Sequence, residues 1–238
     1  MKSVLIIIPA YNEEKSILNV VSNIKKVKTN NYLIDYIIIN DGSSDNTKKV
    51  CLDNKLNFID LPSNLGIGGA VQTGYKYAYY KNYDIAIQID GDNQHNPSYI
   101  TNLCDEINNG YDLVIGSRFV ENLSKFKSSF LRRVGINFLS NLIKICTGVK
   151  IYDVTSGFRA CNKDIIEYFA NNYPIDYPEP DSLVQVLKQN KKVKEIPVEM
   201  NERKTGKSSI RGLKSIYYMI KVSFAIIISN ITAKKGNK

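Results

Sequence analysis

Short β-branched apolar runs alternate with amphipathic stretches through about residue 116 of the chain. The apolar runs predict strands at residues 4–8, 34–40, around 58, 85–89 and 112–116. The stretches between them carry apolar residues at helical spacing and predict helices at about 17–24, 44–55, 67–80 and 97–108. This alternation is typical of an α/β protein with a mostly parallel sheet and helices on both faces.

The pattern changes after residue 118. Helices are predicted at 130–147 and from about 178, residues 155–160 should lead into another short helix, and one more strand is expected within 191–200. A polar, basic loop at 201–212 precedes an apolar tail at 215–231, which predicts an amphipathic helix packed on the domain or lying in a membrane interface. We therefore expect a main domain over 1–212, in two halves of about 1–118 and 119–212, and a separate segment over 213–238.

Polar clusters follow four of the predicted strands, at residues 9–14, 41–45, 90–92 and 116–118. The carboxyl ends of parallel strands share one edge of a sheet, and ligands of such sheets bind there. We expect all four clusters on that edge. The first of them can also be a structural turn before a helix, with Asn12 as the predicted helix cap.

The cluster after the strand at 85–89 contains chemistry for a metal ion. Asp90 and Asp92 are two residues apart, and Gln94 follows. Carboxylate and amide oxygens are hard ligands that suit Mg²⁺ or Mn²⁺, and such an ion could neutralise the charge of a departing diphosphate. The alternative is a turn rich in Asp and Asn, because Asp-Gly and Asn-Pro are common turn dipeptides.

The formal charge of +9 is concentrated at the C-terminal end: from Lys188 onward there are 13 Lys or Arg against 3 Asp or Glu, whereas residues 1–187 carry 19 against 20. A basic surface attracts nucleic acid, anionic membranes or phosphorylated substrates, and it can also be a solubilising tail. Nucleic acid is disfavoured as the partner, because the sequence contains no recognisable nucleic-acid-binding module. In the absence of metal, the acids at the sheet edge would also repel a phosphate backbone.

The four cysteines contain no Cys-x-x-Cys pair, and no signal-peptide pattern precedes the first strand. Reduced thiols in the cytoplasm are the expected state. Together with the apolar tail, this predicts a cytoplasmic protein that is peripheral at the cytoplasmic face of the membrane.

Six motifs occur in order along the chain: IIIPAYNEE, NDGSSDNT, NLGIGGA, IDGDNQH, GSR and TSGFR. Together they resemble glycosyltransferase family 2, which has the Rossmann-like GT-A fold, and within it the polyprenyl-phosphate sugar synthases. The resemblance implies inverting, metal-dependent transfer of a sugar to polyprenyl phosphate for cell-envelope glycan synthesis. The implied donor is a nucleotide sugar, with UDP favoured and GDP possible.

The resemblance also implies roles for particular residues. Contacts to the nucleotide and its phosphates fall on Pro9, Ala10, Tyr11, Glu13, Asp41, Gly68, Asp90, Gly91, Lys207 and Ser208. The metal ligands are Asp90, Asp92 and Gln94, most firmly Asp92. The donor diphosphate or acceptor phosphate is faced by Arg118, Arg132 and Arg203, and arginine suits this role because its planar fork pairs with two phosphate oxygens.

The acceptor decides whether a catalytic base is needed. A lipid phosphate is already ionised and needs only positioning, whereas a hydroxyl must lose a proton to a base. Glu179 and Asp181 lie where relatives that glycosylate hydroxyls carry acidic catalytic residues, although both can also stabilise the start of the helix there. The arginines and the apolar tail favour polyprenyl phosphate. A saccharide hydroxyl is the alternative, and a non-catalytic nucleotide-sugar binder is less favoured.

Overall fold

The structure is a computed structural model and describes residues 1–120, 130–201 and 213–232 of the chain. The strands are β1 Lys2–Ala10, β2 Tyr32–Asn40, β3 Phe58–Asp60, β4 Ile85–Gln88, β5 Leu113–Ser117, β6 Arg159–Asn162 and β7 Val193–Pro197. The helices are α1 Ile17–Lys25, α2 Thr47–Asp53, α3 Gly66–Tyr80, α4 Ile100–Asn108, α5 Phe130–Thr147, α6 Lys163–Asn172, α7 Pro178–Lys188 and α8 Leu213–Thr232. A 3₁₀ turn, Pro97–Tyr99, precedes α4.

The seven strands form one mixed sheet in the order β3-β2-β1-β4-β6-β5-β7. Strand β1 is parallel to both of its neighbours, β2 and β4, and its apolar run is fully buried. Leu5 and Ile7 join a core cluster with α3, α5, α6, α7 and α8, whereas Val4, Ile6 and Ile8 join a second cluster with α1, α2 and α4. Successive side chains of a strand point to opposite faces, so both faces of the sheet are covered by helices. The predicted fold class is confirmed.

Strand β6 was not expected. Residues 155–160 were predicted to lead into a short helix, and α6 does follow, but residues 159–162 first form a strand between β4 and β5 that is antiparallel to both. The strand was missed because a four-residue strand that begins with an arginine shows no apolar periodicity. Because β6 is antiparallel to both of its neighbours, β4 and β5 run in the same direction.

The polar clusters after β1, β2, β4 and β5 consequently lie on one edge of the sheet, as predicted, because all four strands run in the same direction. We call this edge the carboxyl rim. Among the helices of the described ranges, none has both the length and the apolar character needed to cross a bilayer. Helix α8 packs on α5 and α7, with Val222 and Ile226 buried and Ile220 and Phe224 exposed, as an amphipathic helix should.

Candidate active site

The turn after β1 is fastened to the loop after β2. Asn12 has a left-handed φ of 58°, and its Oδ1 accepts hydrogen bonds from the N–H groups of Ser44 (2.8 Å) and Asp45 (3.2 Å). Helix α1 begins only at Ile17, with Ser16 at the N-cap position. The predicted cap at Asn12 is therefore wrong, because this side chain orders the neighbouring loop instead.

The residues expected to contact the nucleotide adjoin the predicted metal motif, Asp90 to Asp92, which is called the metal motif below. Pro9 and Ala10 end β1, and the Tyr11 side chain that follows is 51% exposed. A Cβ atom added to Gly91 would lie 3.0 Å from the carbonyl oxygen of Pro9 and 3.3 Å from Cγ of Glu13. Glycine at 91 thus permits close contact between the turn after β1 and the turn that carries the two predicted metal acids.

Asp41 is buried at the end of β2 and orders the loop that enters α3. Its Oδ1 accepts the N–H of Leu65 at 2.7 Å, and its carbonyl oxygen accepts a hydrogen bond from Nδ2 of Asn64 at 3.1 Å. These bonds bring the NLGIGGA motif to the carboxyl rim. A direct contact between Asp41 and a nucleotide stays a prediction.

Gly68 lies in the first turn of α3, against another backbone segment. A Cβ atom there would be 2.2 Å from the carbonyl oxygens of Pro174 and Ile175. Any larger residue would separate α3 from the segment that leads into α7. The structure therefore explains this glycine by packing, and its predicted contact with the donor stays a prediction.

Asp90 and Asp92 follow β4 on the carboxyl rim, and both are partly exposed. The turn between them and Gln94 is ordered by the Gln94 N–H, which donates to Oδ1 of Asp92 at 3.0 Å. Across the described part of the chain, no group of three or more His, Cys, Asp or Glu side chains could hold a metal by itself. Two carboxylates with open positions for water and phosphate oxygens suit Mg²⁺ or Mn²⁺, which seldom bind in all-protein cages. The residues present fit such an ion.

Two residues that the sequence analysis did not select lie against Asp90. Gln88 is fully buried, and its Nε2 donates to Oδ1 of Asp90 at 3.2 Å. A Cβ atom added to Gly157 would lie 2.8 Å from that Nε2 and 3.2 Å from the same Oδ1. A signal for Gln88 was present, because it is a polar residue inside an otherwise apolar strand. For Gly157 the only signal was its place in TSGFR.

We expect Gly157→Ala to disturb the metal site more than the fold. The added methyl group would meet the ends of two side chains, Gln88 and Asp90, and would push the carboxylate out of place. Affinity for Mn²⁺ with nucleotide should fall about tenfold, as it does when groups that orient metal ligands are displaced. Isothermal titration calorimetry measures this. The matched control is Gly135→Ala in α5, whose methyl group would meet the flexible thioether of Met219 at 3.1 Å. Equal affinities in the two variants would contradict the prediction.

Glu179 lies in the first turn of α7, close to the metal motif. Burial raises the pKa of the Glu179 carboxyl above its ordinary value; the positive charge of Arg159 opposes this rise and the negative charge of Asp90 adds to it. A hydrogen bond with Gln88 also favours the ionised form. Arg159 is buried and donates to the carbonyl oxygen of Glu179 at 2.7 Å, which fixes the position of this turn. Glu179 is therefore a partly buried acid whose charge interacts with that of Asp90.

Asp181 has different surroundings. Its Oδ1 accepts hydrogen bonds from Nε2 of Gln185 at 3.1 Å and from the hydroxyl of Ser229 in α8. Burial raises the pKa of Asp181, and these two hydrogen bonds lower it in part. The two acids of the YPEPD segment thus face different neighbours: Glu179 lies beside the metal motif, and Asp181 joins α7 to α8.

Arg118 is buried in an ion pair with Asp153. Its Nε and Nη2 donate to the two carboxylate oxygens at 2.7 Å each, and its backbone N–H donates to Oδ2 at 2.9 Å. Burial acts to lower the pKa of Arg118, but the hydrogen bonds and charge of Asp153 raise it overall. The planar fork predicted for phosphate is thus paired with a carboxylate. A contact between Arg118 and phosphate stays a prediction.

The side chains of the remaining residues predicted to contact phosphate lie outside the described part of the structure. Arg132 belongs to α5, but its side chain lies outside the described residues, as do Arg203, Lys207 and Ser208 altogether. Their expected contacts with phosphate stay predictions.

A mixed sheet that carries acids and the glycine-rich start of α3 along one rim is the arrangement of a glycosyltransferase of the GT-A fold. Residues 5–169 match the model of glycosyl transferase family 2. The chain belongs to that family.

Relatives and solved structures agree with this assignment. The chain is 34% identical to a UDP-N-acetylglucosamine–dolichyl-phosphate N-acetylglucosaminyltransferase of Methanococcus voltae, over 83% of this chain and 85% of that protein. It is 31% identical to a dolichol-phosphate mannosyltransferase of Pyrococcus furiosus, over 98% of this chain and 70% of that one. The fold is similar, with a TM-score of 0.73 and 18% identity, to glucosyl-3-phosphoglycerate synthase from Mycobacterium tuberculosis in complex with Mn²⁺, UDP and phosphoglyceric acid; 98% of this chain and 80% of that one are covered.

Proposed function

We propose that this glycosyltransferase moves a sugar from a nucleotide-sugar donor to a polyprenyl phosphate, with inversion at the anomeric carbon, in the synthesis of cell-envelope glycans. The donor is a UDP-sugar in preference to a GDP-sugar, and the reaction needs Mg²⁺ or Mn²⁺. The observation that carries this proposal is the pair of partly exposed acids, Asp90 and Asp92, on the rim beside the turn after β1.

The metal would be held by Asp90 and Asp92, with the side-chain amide oxygen of Gln94 as the third predicted ligand. When bound, it would neutralise negative charge on the diphosphate that leaves with the nucleotide. The chain's own contribution is orientation: Gln88 holds one oxygen of Asp90, and the Gln94 N–H holds one oxygen of Asp92. Side chains fixed in this way need little rearrangement when substrate binds, which favours catalysis.

A phosphate acceptor fits the chain for two reasons. The names of the two relatives reported above, from Methanococcus voltae and Pyrococcus furiosus, both include dolichyl or dolichol phosphate. In addition, an ionised phosphate requires cations and no base, and the sequence supplies cations in 201–212, where the predicted contacts of Arg203 and Lys207 lie.

The decisive experiment crosses a donor panel with two acceptors. UDP- and GDP-sugars are offered with undecaprenyl phosphate or with simple saccharides in the presence of Mn²⁺, and products are identified by mass. The proposal requires a glycosyl phosphate lipid that fails to form when EDTA is in excess. Products formed only on saccharides would overturn the proposed acceptor, and undiminished turnover in EDTA would overturn the proposed metal.

Transfer to a saccharide hydroxyl is the second candidate, and Glu179 is the observation that favours it. A carboxylate with a raised pKa near the metal motif is suited to remove a proton from a hydroxyl. Asp181 is less suited to such a role, because its carboxylate is engaged by Gln185 and Ser229.

Glu179→Gln separates the two candidates. If the acceptor is a phosphate, we expect the variant to keep transfer within about tenfold of the wild-type rate, since no proton has to be removed. If the acceptor is a hydroxyl, the loss should be about 10²- to 10⁴-fold, the usual contribution of a general base. The measurement is kcat with saturating acceptor of each kind. The control is Gln185→Leu, which changes a neighbour of Asp181 on the same helix.

Peripheral membrane contact is part of the proposal. Helix α8 exposes Phe224 (61%) and Ile228 (56%), and Lys221 is its one charged residue between 216 and 232. The adjoining helix α5 exposes Phe138 (53%). Apolar side chains with neighbouring cations are the features of helices that lie in the interface of anionic membranes. We place the protein at the cytoplasmic face, where the nucleotide sugar is available.

We expect Phe224→Glu to weaken binding to vesicles that contain phosphatidylglycerol by at least about tenfold, because burying a phenylalanine contributes about 1.5–3 kcal/mol. Co-sedimentation measures the bound fraction. The control is Leu52→Glu in α2, which removes a side chain of similar exposure on the opposite side of the sheet. Equal vesicle binding by both variants and the wild type would contradict membrane contact through α8.

A further inference from the structure

His95, the single histidine of the chain, is packed against the metal motif. It is only 4% exposed, and its ring is stacked on Phe158 with centroids 5.0 Å apart and planes 13° apart. The ring nitrogens face Asp90: Nδ1 accepts the Asp90 N–H at 3.0 Å, and Nε2 lies 3.6 Å from Oδ2 of the same residue. A neutral ring that accepts at Nδ1 carries its proton on Nε2, toward the Asp90 carboxylate.

The loop that carries His95 is fixed on its other side as well. Residue 95 forms an isolated antiparallel bridge with Met200. The N–H of Asn201 donates to the carbonyl oxygen of Gln94 at 2.8 Å, and its Nδ2 donates to that of Asn93 at 3.3 Å. The backbone around His95 is therefore anchored to the strand-like segment after β7, so the imidazole has a fixed position from which to hold Asp90.

We infer that His95 is a positioning residue for the metal site: its Nδ1 holds the backbone of Asp90 and its Nε2 faces one carboxylate oxygen at 3.6 Å, while Gln88 holds the other oxygen. This inference rests on the proposed function. If the only role of His95 were to stack on Phe158, a phenylalanine at position 95 would serve equally well. The direction of both nitrogens toward Asp90 argues for orientation of the ligand, a role whose loss typically costs about 10- to 100-fold in metal affinity.

Three variants separate orientation from packing. His95→Phe keeps an aromatic ring for stacking and removes both nitrogens. His95→Asn loses the stacking but keeps an acceptor, since its Oδ1 takes the place of Nδ1. Phe158→Leu removes the stacking partner and leaves the imidazole intact. Each full-length protein is titrated with UDP by calorimetry in the presence of MnCl₂, and thermal unfolding is measured without metal.

The positioning role predicts that His95→Phe raises the Kd for UDP with Mn²⁺ at least tenfold, whereas His95→Asn stays within about threefold of the wild type. Phe158→Leu should lower the melting temperature and leave that Kd unchanged. Wild-type affinity in His95→Phe, or an equal loss in Phe158→Leu, would overturn the inference. If the wild-type protein binds no UDP with Mn²⁺, the proposed function fails first, and the inference falls with it.

A measurement on the wild-type protein covers the case in which His95→Phe does not fold. Because the chain has one histidine, the ¹⁵N spectrum of an untagged sample contains one imidazole and needs no assignment by mutation. We expect the pattern of a ring protonated at Nε2, and a shift of both nitrogens when UDP is added with diamagnetic Mg²⁺. A ring protonated at Nδ1, or nitrogens that do not respond to Mg²⁺ and UDP, would overturn the inference.

Discussion

Replacing Asp92 with alanine should lower the rate of sugar transfer at least about a thousandfold, which corresponds to about 4 kcal/mol of transition-state stabilisation. The reason is that the proposed metal site has two protein carboxylates, and a diphosphate cannot leave readily when the ion that neutralises it is poorly held. Asp92 is partly exposed after β4 and does not belong to the buried core, so its loss should leave the melting temperature nearly unchanged. The measurement is kcat with saturating donor and Mn²⁺.

The control for this variant is Asp53→Ala in α2, which removes an exposed carboxylate away from the metal motif. It should transfer sugar at the wild-type rate. Excess EDTA should reduce wild-type activity to the level of Asp92→Ala, and added Mn²⁺ should restore only the wild type. Activity of Asp92→Ala within tenfold of the wild type would contradict the metal role of this residue.

The sequence was sufficient for the parallel strands and the rim, although not for β6. The apolar run at 4–8 predicts a buried strand, and the polar clusters after β1, β2, β4 and β5 share an edge because these strands run in the same direction. The sequence also predicts the metal motif, because Asp90 and Asp92 follow a buried apolar strand. These are local signals, carried by residues that are neighbours in the sequence.

The contacts that orient the site could not be predicted, because they join residues far apart in the chain. Nothing in the spacing of GSR indicates that Arg118 pairs with Asp153, 35 residues later. Glu179 and Asp181 are two residues apart on α7, yet the turn of the helix directs one toward Asp90 and the other toward α8. The sequence predicts which residues carry the chemistry, whereas packing decides which of them are available to a substrate.

Asp90 illustrates how the fold prepares the rim. Gln88 comes from the same strand, His95 from the loop that follows, and Gly157 from the segment before β6. Strand β6, which the sequence pattern did not reveal, is what brings that last segment against β4. The antiparallel strand therefore places Gly157 against one side of the Asp90 side chain.

The ion pair of Arg118 and Asp153 leads to the largest expected effect on stability. Asp153→Ala should destabilise the fold by about 3–5 kcal/mol, because it leaves a guanidinium buried without its counter-charge. For a chain of this length the melting temperature should fall by about 10 °C. Thermal unfolding followed by circular dichroism gives the value.

A second substitution tests whether the uncompensated charge is the cause. In the double variant Arg118→Met with Asp153→Ala, no charge remains buried, so the double variant should be more stable than Asp153→Ala alone even though it contains one more substitution. Additive losses would instead mean that each side chain acts through its own packing. Arg118 is also the arginine of the GSR motif on the carboxyl rim, so the same double variant tests its predicted contact with phosphate. Loss of affinity for undecaprenyl phosphate in a double variant that folds well would support that contact, and unchanged affinity would contradict it.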